Sequence, residues 1–249
     1  MSKSQLITGI ITVRTTSTRL PNKCLLPFGD INILEHIIRR TLAYGIDPIV
    51  CTSNDTSDDV IDLIARKEGV KIFRGSLINK LKRWSDCAAH FGLTSFHTID
   101  ADDPFFDGDE IKKSMELLTQ GSFDMVAPTQ TSSAGGASVG YSLTSEIVNR
   151  ALRNTPPETD TEMMWYFIER IKDLKKTTLP EEDLYPCKVR LTLDYEEDYW
   201  LLESVRRIIG NLAPRKEVNK LFLKNPDLYL INFFRNQEWK SAQLAKSIK

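Results

Sequence analysis

The chain has no surplus of positive charge: 33 lysines and arginines face 34 aspartates and glutamates, a formal net charge of -1 over 249 residues. A protein held on nucleic acid by bulk charge shows a clear basic excess, so no nucleic-acid partner is expected. No apolar run nears the ~20 residues that cross a bilayer, and no membrane partner is expected either. Met1 to Gln5 followed by the run 6–13 lacks a small-residue cleavage site, so it reads as a first buried strand rather than a secretory signal, and a cytoplasmic location is expected. Cysteine is sparse: Cys24, Cys51, Cys87 and Cys187 are far apart with no C-x-x-C pair, which argues against a disulfide framework. The three histidines, His36, His90 and His97, have no zinc-ligand spacing. Internal repeats are absent, and so are both glycine-rich phosphate loops, G-x-x-x-x-G-K-[ST] and G-x-G-x-x-G.

What remains is an ordinary globular composition, 41% hydrophobic and 27% charged, in a chain long enough for a large core. Residues 6–13 form a β-branched run, a central strand buried on both faces. The polar, Pro- and Gly-containing stretch 15–32 is a long loop directly after it. The pattern then alternates. Helices are predicted at 33–44, 60–68 (with Ser57 as its cap), 77–91 and 109–118, and strands at 48–52, 70–74, 95–99 and 123–128. This alternation predicts an α/β fold, a three-layer α/β/α sandwich with a mostly parallel sheet. After Pro128 the rhythm breaks. Residues 129–137 read as a mobile loop and 141–153 and 161–174 as helices. A strand at 187–193, a helix at 196–209, tail helices at 216–224 and 227–234, and a frayed end from Trp239 complete the reading. Residues 1–128 are expected to bind nucleotide. Residues 129–249 are expected to bind the acceptor and dimerise while completing the same domain.

Ligands of an open parallel sheet bind beyond the carboxyl ends of its strands, and three polar clusters fall at such ends. The first, Arg14 to Lys23, offers Arg14, Arg19 and Lys23 with Thr15, Thr16, Ser17 and Thr18. Two-point guanidinium contacts, a compact ammonium and backbone N–H groups suit a triphosphate; a solvated basic loop is the competing reading. The second holds Asp100, Asp102 and Asp103, either a Mg²⁺ site or an acidic turn in which Asp103 or Asp107 caps the next helix. The third holds Asp194 with Glu196, Glu197 and Asp198. The last three are first-turn acids favoured by the helix dipole, which leaves Asp194 as the ligand candidate. Met163 to Phe167 place five large side chains in succession, too many for one core, so some should meet ligand or a partner subunit.

The segment Arg14-x-x-Ser17-Thr18-Arg19-Leu20-Pro21-x-Lys23-x-Leu25 resembles the signature loop of the sugar-acid cytidylyltransferases, the group of CMP-Kdo synthetase, acylneuraminate cytidylyltransferase and spore-coat polysaccharide cytidylyltransferase-like proteins. Phe73-Arg74-Gly75-Ser76, Ala101-Asp102-x-Pro104-Phe105 and Arg190-Leu191-Thr192-Leu193-Asp194-x-x-Glu197-Asp198 are similar to further stretches in the same order. The resemblance implies a nucleotide-diphosphosugar transferase (Rossmann-like) fold, Mg²⁺ dependence and a homodimer. It also implies a reaction in polysaccharide biosynthesis that joins CMP from CTP to an acidic sugar, Kdo-like or nonulosonic, with release of pyrophosphate. By position it implies Arg14, Lys23 and Asp102 as catalytic groups, and Arg14, Ser17, Thr18, Arg19, Lys23, Arg74, Ser76 and Asp100 around the nucleotide. Asp102 and Asp194 correspond to the metal ligands. Two departures stand out. Asn22 replaces the usual glycine and tolerates a left-handed backbone, and residues 136–141 lack the acidic pair that relatives place in the sugar pocket. Two other readings compete: a metal-dependent glycosyltransferase using Asp100-Ala101-Asp102 as its D-x-D, and a catalytically degenerate nucleotide-binding homologue.

Overall fold

The computed structural model describes residues 6–181 and 189–247, the side chains of 243–247 excepted. Strand β1 (Thr8–Thr12) is buried nearly throughout, as its β-branched run requires. A small hairpin, β2 (Pro27–Phe28) with β3 (Ile31–Asn32), leads into α1 (Ile33–Ala43), where Asn32 and Glu35 form a capping box. There follow β4 (Asp47–Ser53), α2 (Asp59–Lys67), β5 (Lys71–Gly75), α3 (Lys80–Phe91), β6 (Ser95–Asp100) and α4 (Gly108–Gln120). Next come β7 (Met125–Ala127), α5 (Gln130–Ser133), β8 (Ser142–Thr144), α6 (Ser145–Arg153), α7 (Met164–Ile168) and β9 (Lys176–Thr178). The described chain closes with α8 (Glu196–Ile209), α9 (Arg215–Lys224), a 3-10 turn at Pro226–Ile231 and α10 (Arg235–Ser247).

The seven-stranded sheet runs β5-β4-β1-β6-β8-β7-β9. Its first four strands are parallel; β8 enters antiparallel between β6 and β7, and β9 pairs parallel with β7. Alternate strand residues feed two cores. Ile11 and Val50 pack with α1, α2, α4 and α8 on one face; Ile10, Ile49 and Cys51 pack with α3, α6 and α7 on the other. The result is the three-layer, mostly parallel α/β/α sandwich.

Local departures cluster after Pro128. The helix expected at 141–153 starts only at Ser145, because Ser142–Thr144 pairs with both β6 and β7. Tertiary pairing overrides a short segment's propensity. The helix expected over 161–174 shrinks to Met164–Ile168 and is followed by the unexpected strand β9. Of the strand expected at 187–193, residues 187 and 188 lie outside the described residues. Residues 189–193 join no ladder; Leu191 N instead donates to Gly135 O and Leu193 N to Asp102 O. The stretch 129–137 holds α5 and buries Ser132 and Ala137. Within the described residues, the tail from Trp239 to Ser247 is part of α10 rather than a frayed end. Nearer the N-terminus, Asp55 rather than Ser57 caps the turn before α2, and α3 starts at Lys80 with Asn79 as its cap.

Candidate active site

The parallel pairing of β1 with β6 sets Thr12 beside Asp100, so the Arg14–Lys23 loop and the Asp100–Asp103 turn leave the sheet at one edge. Between them opens a cavity of about 730 Å³. The loop's root is tied down by a buried carboxylate: Asp58 Oδ1 accepts from Thr15 N and Thr15 Oγ1, both at 2.8 Å. Asn22 turns the chain at φ 54°, the left-handed conformation that a glycine would take there, and aims Lys23 inward.

Lys23 Nζ lies 2.7 Å from Asp102 Oδ2, 2.9 Å from Asp194 Oδ1 and 2.9 Å from Leu193 O. Burial alone would lower the ammonium's pKa, but the two carboxylates outweigh it and the group is held protonated well above its usual range. Arg19 Nη2 meets Asp194 Oδ1 at 2.6 Å, over the ring of Tyr195. Burial works to raise the Asp194 pKa; Lys23 and Arg19 overcome it and lower it. Asp194 is positioned from behind: Asp198 Oδ2 accepts from Asp194 N and Tyr195 N, while both Asp198 oxygens grip buried Arg190.

A second set of charges lines the opposite wall. Arg14 Nη1 donates to Leu77 O at 2.7 Å, and its Nη2 pairs with Glu162 Oε2 at 2.6 Å. Lys80, at the start of α3, reaches Asp100 Oδ1 at 3.3 Å and Glu162 Oε1 at 3.7 Å. Ser17 and Thr18 line the same cavity, as do Tyr141, Met163, Met164, Trp165 and Trp239. Gly140 lets Tyr141 in: its φ is 84°, a Cβ there would lie 1.9 Å from Thr98 O, and Tyr141 N donates to Thr98 Oγ1 at 2.9 Å.

Asp100, Asp102 and Asp103 bring carboxylate oxygens within 4.8 Å of one another. Burial first, then Asp102 and Asp100, push the Asp103 carboxyl well above its usual range, and Asp103 Oδ1 is buried without a hydrogen-bond partner. An orphaned buried oxygen inside an all-oxygen cluster fits a hard divalent cation. Asp107, not Asp103, caps α4.

Of the residues expected at the site, Arg14, Ser17, Thr18, Arg19, Lys23 and Asp100 of the nucleotide set and Asp102 and Asp194 of the metal set line this one cavity. Arg74 and Ser76 do not. Arg74 ties Ser53 O, Asp55 O and Asp59 together beyond the β5 end, and Ser76 Oγ accepts from Asn79 N at the head of α3. The local Phe73–Ser76 pattern carried no information on which way those side chains face. Lys80, Glu162 and Trp239 are cavity residues that the reading of the sequence missed. Lys80 was hidden inside a predicted helix and Glu162 in a predicted one further on, while Trp239 lay in a presumed frayed tail.

The family model described as cytidylyltransferase matches residues 8–200. The spore coat polysaccharide biosynthesis protein SpsF of Bacillus subtilis is 27% identical over 243 residues, covering 88% of this chain and 94% of that protein. A cytidylyltransferase structure from Leptospira borgpetersenii serovar Hardjo-bovis superposes with a TM-score of 0.80 at 25% identity, covering 89% of this chain and 95% of that one. A CMP:2-keto-3-deoxy-manno-octonic acid synthetase solved with CTP shares the fold, with a TM-score of 0.62 at 11% identity over 82% of this chain and 99% of that one. With the family model matched over residues 8–200 and the fold shared with a solved cytidylyltransferase, the chain belongs to the cytidylyltransferase family of CTP-dependent nucleotidyltransferases.

Proposed function

We propose that the chain transfers CMP from CTP to a hydroxyl of an acidic sugar, Kdo-like or nonulosonic, and releases pyrophosphate. One observation carries the transfer chemistry: Lys23 of the signature loop and Asp102 beyond β6 meet at 2.7 Å inside the cavity. Polyphosphate-neutralising cations and charge-holding carboxylates are thereby concentrated around one point, as in-line displacement at the α-phosphorus requires. Arg14, Arg19 and Lys23 would neutralise the triphosphate and the departing pyrophosphate, with Ser17 and Thr18 as further donors. Asp102, with Asp100 and Asp103 to one side and Asp194 across Lys23, would hold Mg²⁺, which when bound lowers the acceptor hydroxyl's pKa and offsets charge at the α-phosphate. The division into a nucleotide half and an acceptor half draws support from the cavity walls. The cations and the Asp100–Asp103 turn come from before residue 128, and Tyr141, Met163, Trp165 and Trp239 from after it. The homodimer belongs to the same reading, and light scattering at micromolar concentration tests it.

A second reading of the acceptor rests on a specific observation. Among the described lining residues after position 128 there are three carboxylates, Asp160, Glu162 and Asp194, with serines and aromatic rings but no lysine or arginine. An acid acceptor wants a cation there, so this wall favours a neutral or amine-bearing polyol. Four nucleoside triphosphates crossed with acidic, neutral and amino sugars, read by pyrophosphate release, test both readings. CTP-dependent release with an acidic sugar supports the first, and release confined to neutral or amino acceptors supports the second. Release with none of the triphosphates overturns both.

A further inference from the structure

Glu162 stands on the acceptor side of the cavity yet holds the cation on the nucleotide side. Its Oε2 lies 2.6 Å from Arg14 Nη2, and its Oε1 lies 3.7 Å from Lys80 Nζ. The position is built. Thr161 Oγ1, in the preceding residue, accepts from Leu81 N at 2.9 Å and donates to Asn79 Oδ1 at 3.0 Å, and Asn79 Nδ2 donates to Pro157 O at 3.2 Å. Thr161 and Asn79 are both fully buried. The segment around Glu162 is thus pinned to the first turn of α3, the turn that also carries Lys80. One residue further on begins Met163-Met164-Trp165, which lines the acceptor end.

We propose that Glu162 is a positioning residue that couples the two substrates: its carboxylate occupies the guanidinium face of Arg14 until a triphosphate displaces it. Glu162 and a phosphate oxygen compete for Arg14 Nη2, the nitrogen not already given to Leu77 O, so Arg14 cannot serve both at full strength. Displacement loosens the Glu162 end of the segment and gives the adjoining residues 163–165 freedom to fit the acceptor. CTP therefore binds first and prepares the acceptor end, and by linkage the acceptor in turn tightens CTP. The inference rests on the cytidylyl-transfer reading and adds an order of binding to it.

The test uses CTP with Mg²⁺ and no acceptor, in the full chain. Calorimetry compares the unaltered protein with Glu162→Gln, Arg14→Met and the double variant. Glu162 is partly exposed, with its side chain at 31%, so the glutamine variant keeps the fold. Glu162→Gln is expected to bind CTP about five- to tenfold more tightly, within the usual range of a coupling between sites. That gain is expected to vanish in the Arg14→Met background, because the competition runs through Arg14. Hydrogen exchange of peptides covering 157–168 is expected to quicken when CTP is added to the unaltered protein, and to be already fast in Glu162→Gln. Equal or weaker CTP binding by Glu162→Gln, the same gain without Arg14, or exchange indifferent to CTP each overturns the inference while leaving cytidylyl transfer standing. Failure of the unaltered protein to bind CTP withdraws the functional reading and this inference together.

Discussion

The Lys23 ammonium lies 2.7 Å from the Asp102 carboxylate, 79 residues away in the chain, and 2.9 Å from that of Asp194, 171 residues away. An ammonium between two carboxylates, one of them almost fully buried, marks the point where the loop's cations and the carboxylates of distant segments meet. In the reading proposed above, a divalent ion and a triphosphate would share that work.

Asp102→Asn keeps the size of the side chain and removes its charge. Pyrophosphate release is expected to fall about 10²- to 10³-fold in kcat, the usual cost of losing one preorganised electrostatic group. Because Asp102 is partly exposed, with its side chain at 28%, circular dichroism and thermal midpoint should be nearly unchanged. Turnover within threefold of the unaltered enzyme would remove Asp102 from the chemistry.

Metal removal should stop the reaction, and Mg²⁺ should restore it. Asp103 gives a separate readout. Its carboxyl is held above the usual range by burial and by Asp102 and Asp100, so the folded state keeps a proton that the unfolded state releases. That group costs stability as pH rises from the unfolded pKa through the folded one. Asp103→Asn is therefore expected to raise the thermal midpoint at pH 7 in the absence of metal, and to weaken Mn²⁺ binding measured by electron paramagnetic resonance. A lowered midpoint together with unaltered Mn²⁺ affinity would contradict both halves of this prediction.

Two buried histidines set an acid limit. Burial pulls both His36 and His97 down to about 4, against an unperturbed 6.5. Between those values the unfolded chain binds protons that the folded one refuses, so stability is full above pH 6.5 and is lost as pH falls toward 4. Urea unfolding at pH 7 and pH 5 should differ by roughly 2 kcal/mol for each histidine. His36→Phe should reduce the difference by about half, and an unchanged pH dependence would count against His36 as a contributor.

The Arg190–Asp198 pair, both side chains fully buried, holds up the Asp194 shelf, with Asn232 Nδ2 donating to Asp198 Oδ1 and to Arg190 O. Asp198→Ala leaves a guanidinium buried without its carboxylate and should destabilise the fold by about 3–5 kcal/mol in urea titration. Replacing both partners with apolar residues should recover much of that stability but not activity, since Asp194 N and Tyr195 N lose their acceptor.

Much of the first half was legible in the sequence because its signals are local. Runs such as Gly9-Ile10-Ile11 and the glycine after α3 act within a few residues of where they are read. The signature loop was legible for a similar reason: its cations and hydroxyls are contiguous. The second half was less so. Ser142–Thr144 becomes a strand through pairing with β6 and β7, a fact absent from the segment itself.

The sequence by itself determined the layer order and the charge clusters that follow β1 and β6, which rest on short-range pattern, while the resemblance of the signature loop pointed to the family chemistry. The tertiary structure alone decided which charges meet. It sent Arg74 and Ser76 away from the cavity, brought Lys80, Glu162 and Trp239 into it, and seated Lys23 between Asp102 and Asp194. The reason is physical: ion pairing depends on distance in space, and only the register of parallel strands and the packing of helices on them converts 79 or 171 residues of chain into less than 3 Å.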